Sequence, residues 1–291
     1  MSRHTAKVNV RGPWSLNTSR QFWEEFTPSA LPQAETRTET LSTVFRVDTD
    51  WSAAGAEITQ HATSATITVD GDGDLDGAVA QIARVLALDI DGREWPAVRD
   101  RDPVIADAQD QLPGLRPCGF HSPYEAAAWS VLSQRVRIVQ AAHLRERLVA
   151  EYGDHGAFPA PGRLRRLDLD LPGRKAEYLR AVADAALDGR LDGAILHAAD
   201  PERSVRDLQE IKGIGPFAAE LIVLRGANVP DGLPANDRRL QAEIAERYGA
   251  DRTLEEVSRA WRPFRTWAAV HLRALREQRT REISGAGRQR R

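Results

Sequence analysis

At 291 residues and 42% hydrophobic composition, the chain can bury a sizeable core arranged in two or three lobes. No apolar run approaches a membrane span and no signal-peptide core follows Met1, so a cytoplasmic location is expected, while the single cysteine, Cys118, excludes an intrachain disulfide and any all-cysteine iron–sulfur cluster. The net charge of −2 hides an asymmetry: residues 1–110 hold 10 Lys and Arg against 18 Asp and Glu, and residues 111–291 hold 30 against 24, so a basic face remains available.

Residues 5–10 alternate as a strand, and residues 14–26 read as an amphipathic helix with Leu16, Phe22, Trp23 and Phe26 on one face. Residues 43–50, 56–61 and 65–69 read as further strands, the last two joined by a short polar turn. Asp70, Asp72 and Asp74 suit a solvated turn and not a calcium loop, because no bidentate Glu closes a twelve-residue loop. The seven histidines show no paired spacing, so no side-chain metal site is expected. A helix over 75–88 completes a small α+β lobe. Residues 89–117, rich in Pro, Gly and Asp, read as the connection, with the domain boundary at 104/105.

From Ser122 onward the pattern is helical. Ser122-Pro123-Tyr124-Glu125 fits a capping box, a turn falls at Ser133-Gln134-Arg135, and residues 138–152 form a helix closed by Gly153. Residues 159–162 read as a loop and 174–187 as the next helix. Asp200-Pro201 then opens a helix that buries Val205, Leu208 and Ile211 and ends in a left-handed cap at Gly213. Gly215 reopens the turn, and Pro216 starts a second helix with Leu221, Ile222 and Leu224 inward. The first amides of that helix lack internal partners and carry partial positive charge, and glycines 213 and 215 let a phosphate oxygen approach them. A lone G-x-G would suit any glycine-capped hairpin; here Pro216 and the apolar flanks extend the pattern. After a loop over 227–236, Asp237 starts a helix running to Tyr248-Gly249, and helices follow over 254–261 and 264–276. Residues 278–291 turn to Arg, Gln, Gly and Ser, a basic tail without apolar periodicity.

The segment from Leu208 to Ile222 with Asp237 resembles the helix-hairpin-helix plus Gly/Pro-Asp signature of base-excision DNA glycosylases, most nearly the 3-methyladenine DNA glycosylase II (AlkA-like) branch. The resemblance spans roughly residues 115–275 and includes Leu132-Ser133-Gln134, Phe158-Pro159-Ala160-Pro161, Arg174-Lys175-Ala176-Glu177-Tyr178-Leu179 and Trp261-Arg262-Pro263-Phe264-Arg265 with His271. It implies a mainly α protein: a two-lobed, all-helical glycosylase domain over 105–277, preceded by a small α+β (TBP-like) lobe over 1–104 and followed by the tail over 278–291. It also implies a monomer in the cytoplasm, nucleoid-associated when bound to double-stranded DNA containing a damaged base.

By this resemblance Asp237 is the catalytic residue, its carboxylate facing the positive charge that develops on the sugar when the N-glycosidic bond breaks. A plain N-cap is the simpler role for any such Asp. Relatives that also cut the strand carry a lysine where Phe217 stands, so the chain is expected to be a monofunctional hydrolase that leaves an abasic site. Lys212, Gly213, Ile214, Gly215, Phe217 and Ala218 are expected to bind the DNA backbone, and Gln134 and Arg135 to enter the duplex as a wedge. Phe217, Leu221, Trp129 and Arg273 would line the base pocket, with Tyr124, Trp261 and Trp267 as further rings. Leu221 and Arg273 depart from the aromatic residues common at these positions, and Arg273 is tolerable only if it turns away or pairs with an acid such as Asp237. No cofactor is expected beyond a monovalent cation at hairpin carbonyls. Two rival readings are a noncatalytic damaged-DNA-binding protein and a glycosylase for oxidised or deaminated bases.

Overall fold

A computed structural model describes residues 2–25 and 39–282. Four strands, β1 (Ser2–Asn9), β2 (Thr40–Arg46), β3 (Ala53–His61) and β4 (Ser64–Gly71), form an antiparallel sheet in the order β1-β4-β3-β2. Strands β3 and β4 make the predicted hairpin, with Ile58 opposite Ile67. Helix α1 (Leu16–Glu25) precedes β2, and α2 (Leu75–Val85) follows β4. Alternation turns Leu41, Phe45, Ile58, Ile67 and Val69 to one face, where they pack with Trp23 of α1 and Ala78 and Ile82 of α2. Asp74 caps α2 by accepting from the Gly77 amide at 2.9 Å. Phe26, assigned to the first helix from its pattern, lies outside the described residues.

The connecting stretch differs from its sequence reading. It contains a 3₁₀ turn (Pro96–Asp100) and helix α3 (Pro103–Gln111), capped by Asp102 through the amides of Val104 and Ile105. The boundary expected at 104/105 therefore falls inside a helix. Val98 and Ile105 pack with residues from the far end of the chain, among them Leu240, Trp261 and Trp267.

The remaining elements among the described residues are helices joined by loops: α4 (Pro123–Leu132), α5 (Ile138–Tyr152), α6 (Pro161–Leu164), α7 (Lys175–Leu187), α8 (Gly193–Ala198), α9 (Pro201–Leu208) and α10 (Pro216–Leu221). A π turn (Ile222–Gly226) continues α10, and α11 (Arg238–Tyr248), α12 (Leu254–Val257) and α13 (Arg265–Thr280) complete the chain, with a 3₁₀ turn (Ser258–Trp261) after α12. Among the described residues no helix is long and apolar enough to cross a membrane.

Three local readings need correction. Ser122 caps α4 through the Glu125 amide, but Glu125 does not close the box; its buried carboxylate accepts from Arg145 at 2.8 Å. Helix α9 stops at Leu208, five residues before Gly213. Helix α13 runs to Thr280, beyond the expected start of the tail, because Arg276 and Arg279 clamp it to Glu243 and Glu246 of α11. Residues 283–291 of that tail lie outside the described residues.

Side chains bolt the sheet to the helices. The Gln81 amide donates to the carbonyls of Arg46 and His121, and Asn228 donates to those of Arg84 and Pro117. Arg46, almost fully buried, donates to the Phe158 carbonyl and pairs with Asp154 at 2.7 Å. Matching buried polar groups in this way offsets their desolvation and fixes one geometry at the junction.

Candidate nucleic-acid interface and acidic site

The hairpin between α9 and α10 is built by local chemistry. Asp200 caps α9 through the Arg203 amide at 2.8 Å. Gly213 has φ +93°, and a Cβ there would collide with the Tyr178 ring, so a larger residue fails on both counts. Gly215 is extended (φ −96°, ψ −178°), and a Cβ on it would meet nothing within 4 Å. Packing therefore leaves Gly215 unconstrained, and its backbone faces open space. Pro216 and Phe217 are exposed beside it, with Phe217 51% accessible. The first amides of α10, at Phe217 and Ala218, have no acceptor within the helix, whereas Ile214 is buried and plugs the turn.

The turn after α4 leans on this hairpin. Gln134 donates from Nε2 to the Gly213 carbonyl at 2.8 Å, which makes it a strut between the two turns. Lys175, buried, donates from Nζ to the carbonyls of Val131, Leu132 and Gln134 and fixes the turn from below. Arg135 stands exposed at φ +54°. Of the two expected wedge residues, Arg135 alone is free of the hairpin. Lys212 pairs with Glu177, whose carboxyl is drawn down to about 2 by hydrogen bonds from Arg174 and then Lys212.

Asp237 is the N-cap of α11, its Oδ1 accepting from the amides of Arg239 (2.9 Å) and Leu240 (3.1 Å). Its Oδ2 accepts from Arg273 Nε at 3.0 Å, and both side chains are about one-fifth exposed. Glu220 of α10 anchors the preceding residue: the Asn236 amide donates to Oε2 at 2.9 Å and Asn236 Nδ2 to Oε1 at 2.7 Å. Burial raises the Glu220 pKa, and the charge of neighbouring Asp237 adds to the rise. The sequence reading missed Glu220; a carboxylate among Ala218, Ala219 and Leu221 on the inward side of the helix was the available signal. Arg225, on the π turn, is also near; burial lowers its pKa to about 10, and its guanidinium donates to the Cys118 carbonyl.

The expected ring lining is largely absent. Trp129 is 5% exposed and packs in the core with Leu132 and Leu179. Tyr124, Trp261 and Trp267 are fully buried; the Tyr124 hydroxyl donates to the Pro159 carbonyl and Trp261 Nε1 to Asp102. Phe217 is exposed, and Leu221 is half-buried against the core.

The described residues thus combine a glycine-turned hairpin, an acid-led helix tied to its second arm and a four-stranded antiparallel sheet. A 3-methyladenine DNA glycosylase from Archaeoglobus fulgidus shares this fold with a TM-score of 0.72 over 96% of this chain and 99% of that one, at 17% identity. In sequence, the chain is 32% identical over 71% of its length to a Mycobacterium tuberculosis protein named probable bifunctional transcriptional activator/DNA repair enzyme AlkA. It is 30% identical over 55% of its length to DNA-3-methyladenine glycosylase 2 of Escherichia coli. The matched regions span 44% and 60% of those relatives. No protein-family profile matches the chain. The chain is thus similar in sequence to AlkA and 3-methyladenine DNA glycosylase 2 proteins and in fold to a solved 3-methyladenine DNA glycosylase.

Proposed function

We propose that the protein is a monofunctional DNA glycosylase of base-excision repair, hydrolysing the N-glycosidic bond of damaged, alkylated bases in double-stranded DNA. The observation that carries this reading is the attachment of the Asp237 loop to the hairpin: Glu220 on the second hairpin helix holds Asn236, so a partly exposed carboxylate follows directly on a residue tied to α10. The names of the relatives support the same chemistry.

In this reading the amides around Gly215 to Ala218 hold a phosphate, and Arg135 fills the space left by the extruded nucleotide. The helices form two lobes with the acidic site between them. The C1′–N bond breaks with its electron pair going to the base, and Asp237 stabilises the sugar cation. Water adds through oxygen to C1′ and its proton is released, leaving an abasic site. Phe217, where lyase relatives carry an amine, supports hydrolysis without strand cleavage. The enzyme acts as a cytoplasmic, nucleoid-associated monomer and needs no cofactor beyond a monovalent cation at the hairpin carbonyls. The Arg273–Asp237 pair favours a second reading, a noncatalytic damaged-DNA binder.

The test offers purified protein duplexes containing 3-methyladenine, 7-methylguanine, hypoxanthine or 8-oxoguanine. Excision that yields alkali-labile sites, lost in Asp237→Asn, supports the proposal. Tight binding to damaged duplex without excision would sustain the binder instead, and a borohydride-trapped adduct would contradict monofunctional hydrolysis.

A further inference from the structure

Arg273 reaches Asp237 through Nε, while its Nη1 is buried and makes no hydrogen bond. A buried donor without an acceptor is costly, so this nitrogen favours a ligand that brings an oxygen. The rings that might have wrapped a cationic base are committed to the core at Tyr124, Trp129, Trp261 and Trp267, and of the candidates Phe217 alone is exposed. The acidic site thus offers a guanidinium, and the one exposed ring among the candidates stands on the hairpin.

We infer that Arg273 sets the charge class of the base, selecting neutral lesions that carry a carbonyl oxygen over lesions that already bear a positive charge. This rests on the glycosylase reading above and shifts its preferred substrates from cationic alkylated bases to neutral damaged bases. When a neutral base leaves with the C1′–N electron pair, it becomes an anion until it takes up the proton released by the attacking water. A guanidinium donating to its carbonyl stabilises that charge as it develops. A cationic base becomes neutral on leaving, so it gains little from the donor and is repelled by the guanidinium on entry. Arg273 therefore favours the transition state of one class and disfavours the binding of the other.

Three duplexes separate the two effects: 7-methylguanine is cationic with a carbonyl, hypoxanthine is neutral with a carbonyl, and 1,N6-ethenoadenine is neutral without one. Single-turnover rates, each divided by spontaneous loss of the same base, are measured for wild type, Arg273→Gln, Arg273→Leu and Arg273→Lys. Binding to a duplex carrying an uncleavable abasic-site analogue verifies that each variant is folded. Both neutral substitutions are expected to raise the 7-methylguanine to hypoxanthine ratio by about tenfold or more, whereas Lys, which keeps the charge, stays within about threefold of wild type. Leu is expected to erase the advantage of hypoxanthine over ethenoadenine. A ratio unmoved by Gln and Leu, or moved equally by Lys, overturns the role of Arg273 and leaves the glycosylase reading standing. If the wild type excises none of the three, the role of Arg273 falls, and excision from the 3-methyladenine duplex decides the glycosylase reading separately.

Discussion

Arg273 and Asp237, 36 positions apart in sequence, meet at 3.0 Å on one carboxylate oxygen while the other oxygen caps α11. The acid is thus oriented from two sides, by backbone amides and by a guanidinium, and remains about one-fifth exposed. The pairing anticipated as the tolerable arrangement for Arg273 is the one present. It also means that the carboxylate is already partnered before DNA arrives, which makes its substitutions informative.

Asp237→Asn retains an oxygen for the helix cap, so stability should change by less than about 1 kcal/mol, whereas Asp237→Ala loses the cap and should cost about 1 kcal/mol. Excision should fall by at least about a hundredfold in both, because neither supplies a charge opposite the sugar cation. Thermal melting and single-turnover assays on the same preparations separate the two roles. Full excision by the Asn variant would reduce Asp237 to a cap.

Glu220→Ala should slow excision by about tenfold while leaving affinity for abasic duplex nearly unchanged. The reason is geometric: Asn236 loses both hydrogen bonds that tie the loop before Asp237 to α10. An equal loss of binding and turnover would show that Glu220 only holds the fold.

The two hairpin glycines should separate stability from binding. Gly213→Ala combines a left-handed φ with a collision against Tyr178, so it should destabilise by about 2 kcal/mol or more. Gly215→Ala meets open space in the free protein and should melt near the wild-type temperature. Its methyl group nevertheless stands where a phosphate would approach, so duplex affinity should drop by about tenfold or more, as read by fluorescence anisotropy. Wild-type affinity in Gly215→Ala would locate the backbone contact elsewhere.

His271 gives the fold an acid limit. It is fully buried against Trp95, its Nδ1 2.8 Å from the Trp267 carbonyl, and burial pushes its pKa from 6.5 down to about 4. The unfolded chain takes up this proton near pH 6.5 and the folded chain does not. Its contribution is therefore complete above pH 6.5 and lost as the pH falls toward 4, by about 3 kcal/mol in total. Urea denaturation at pH 7.5, 6, 5 and 4.5 should show this decline, and His271→Leu should flatten it. Parallel declines in both proteins would assign the acid sensitivity to other groups.

Much of the fold and of the hairpin was legible in the sequence because short-range rules govern them. Asp74, Ser122, Asp200 and Asp237 each cap a helix using an amide two or three residues away. Gly213 lies at positive φ inside a turn recognisable from its neighbours, and strand alternation marked the sheet. The same rules applied to Asp102-Pro103, but the Pro, Gly and Asp around it masked α3 as a connection. Glu125 looked like half of a local box, yet its carboxylate is taken by Arg145, 20 residues away.

What the chain alone determined, then, was where helices start, where the hairpin turns and which acid leads α11, since each depends on atoms a few bonds apart. Only tertiary packing decided that Trp129 faces the core, that Gln134 braces Gly213 across 79 positions, and that Glu220 and Arg273 hold the loop and acid at 237. Those outcomes depend on which helices pack together and which buried polar groups must find partners, and no local pattern encodes either.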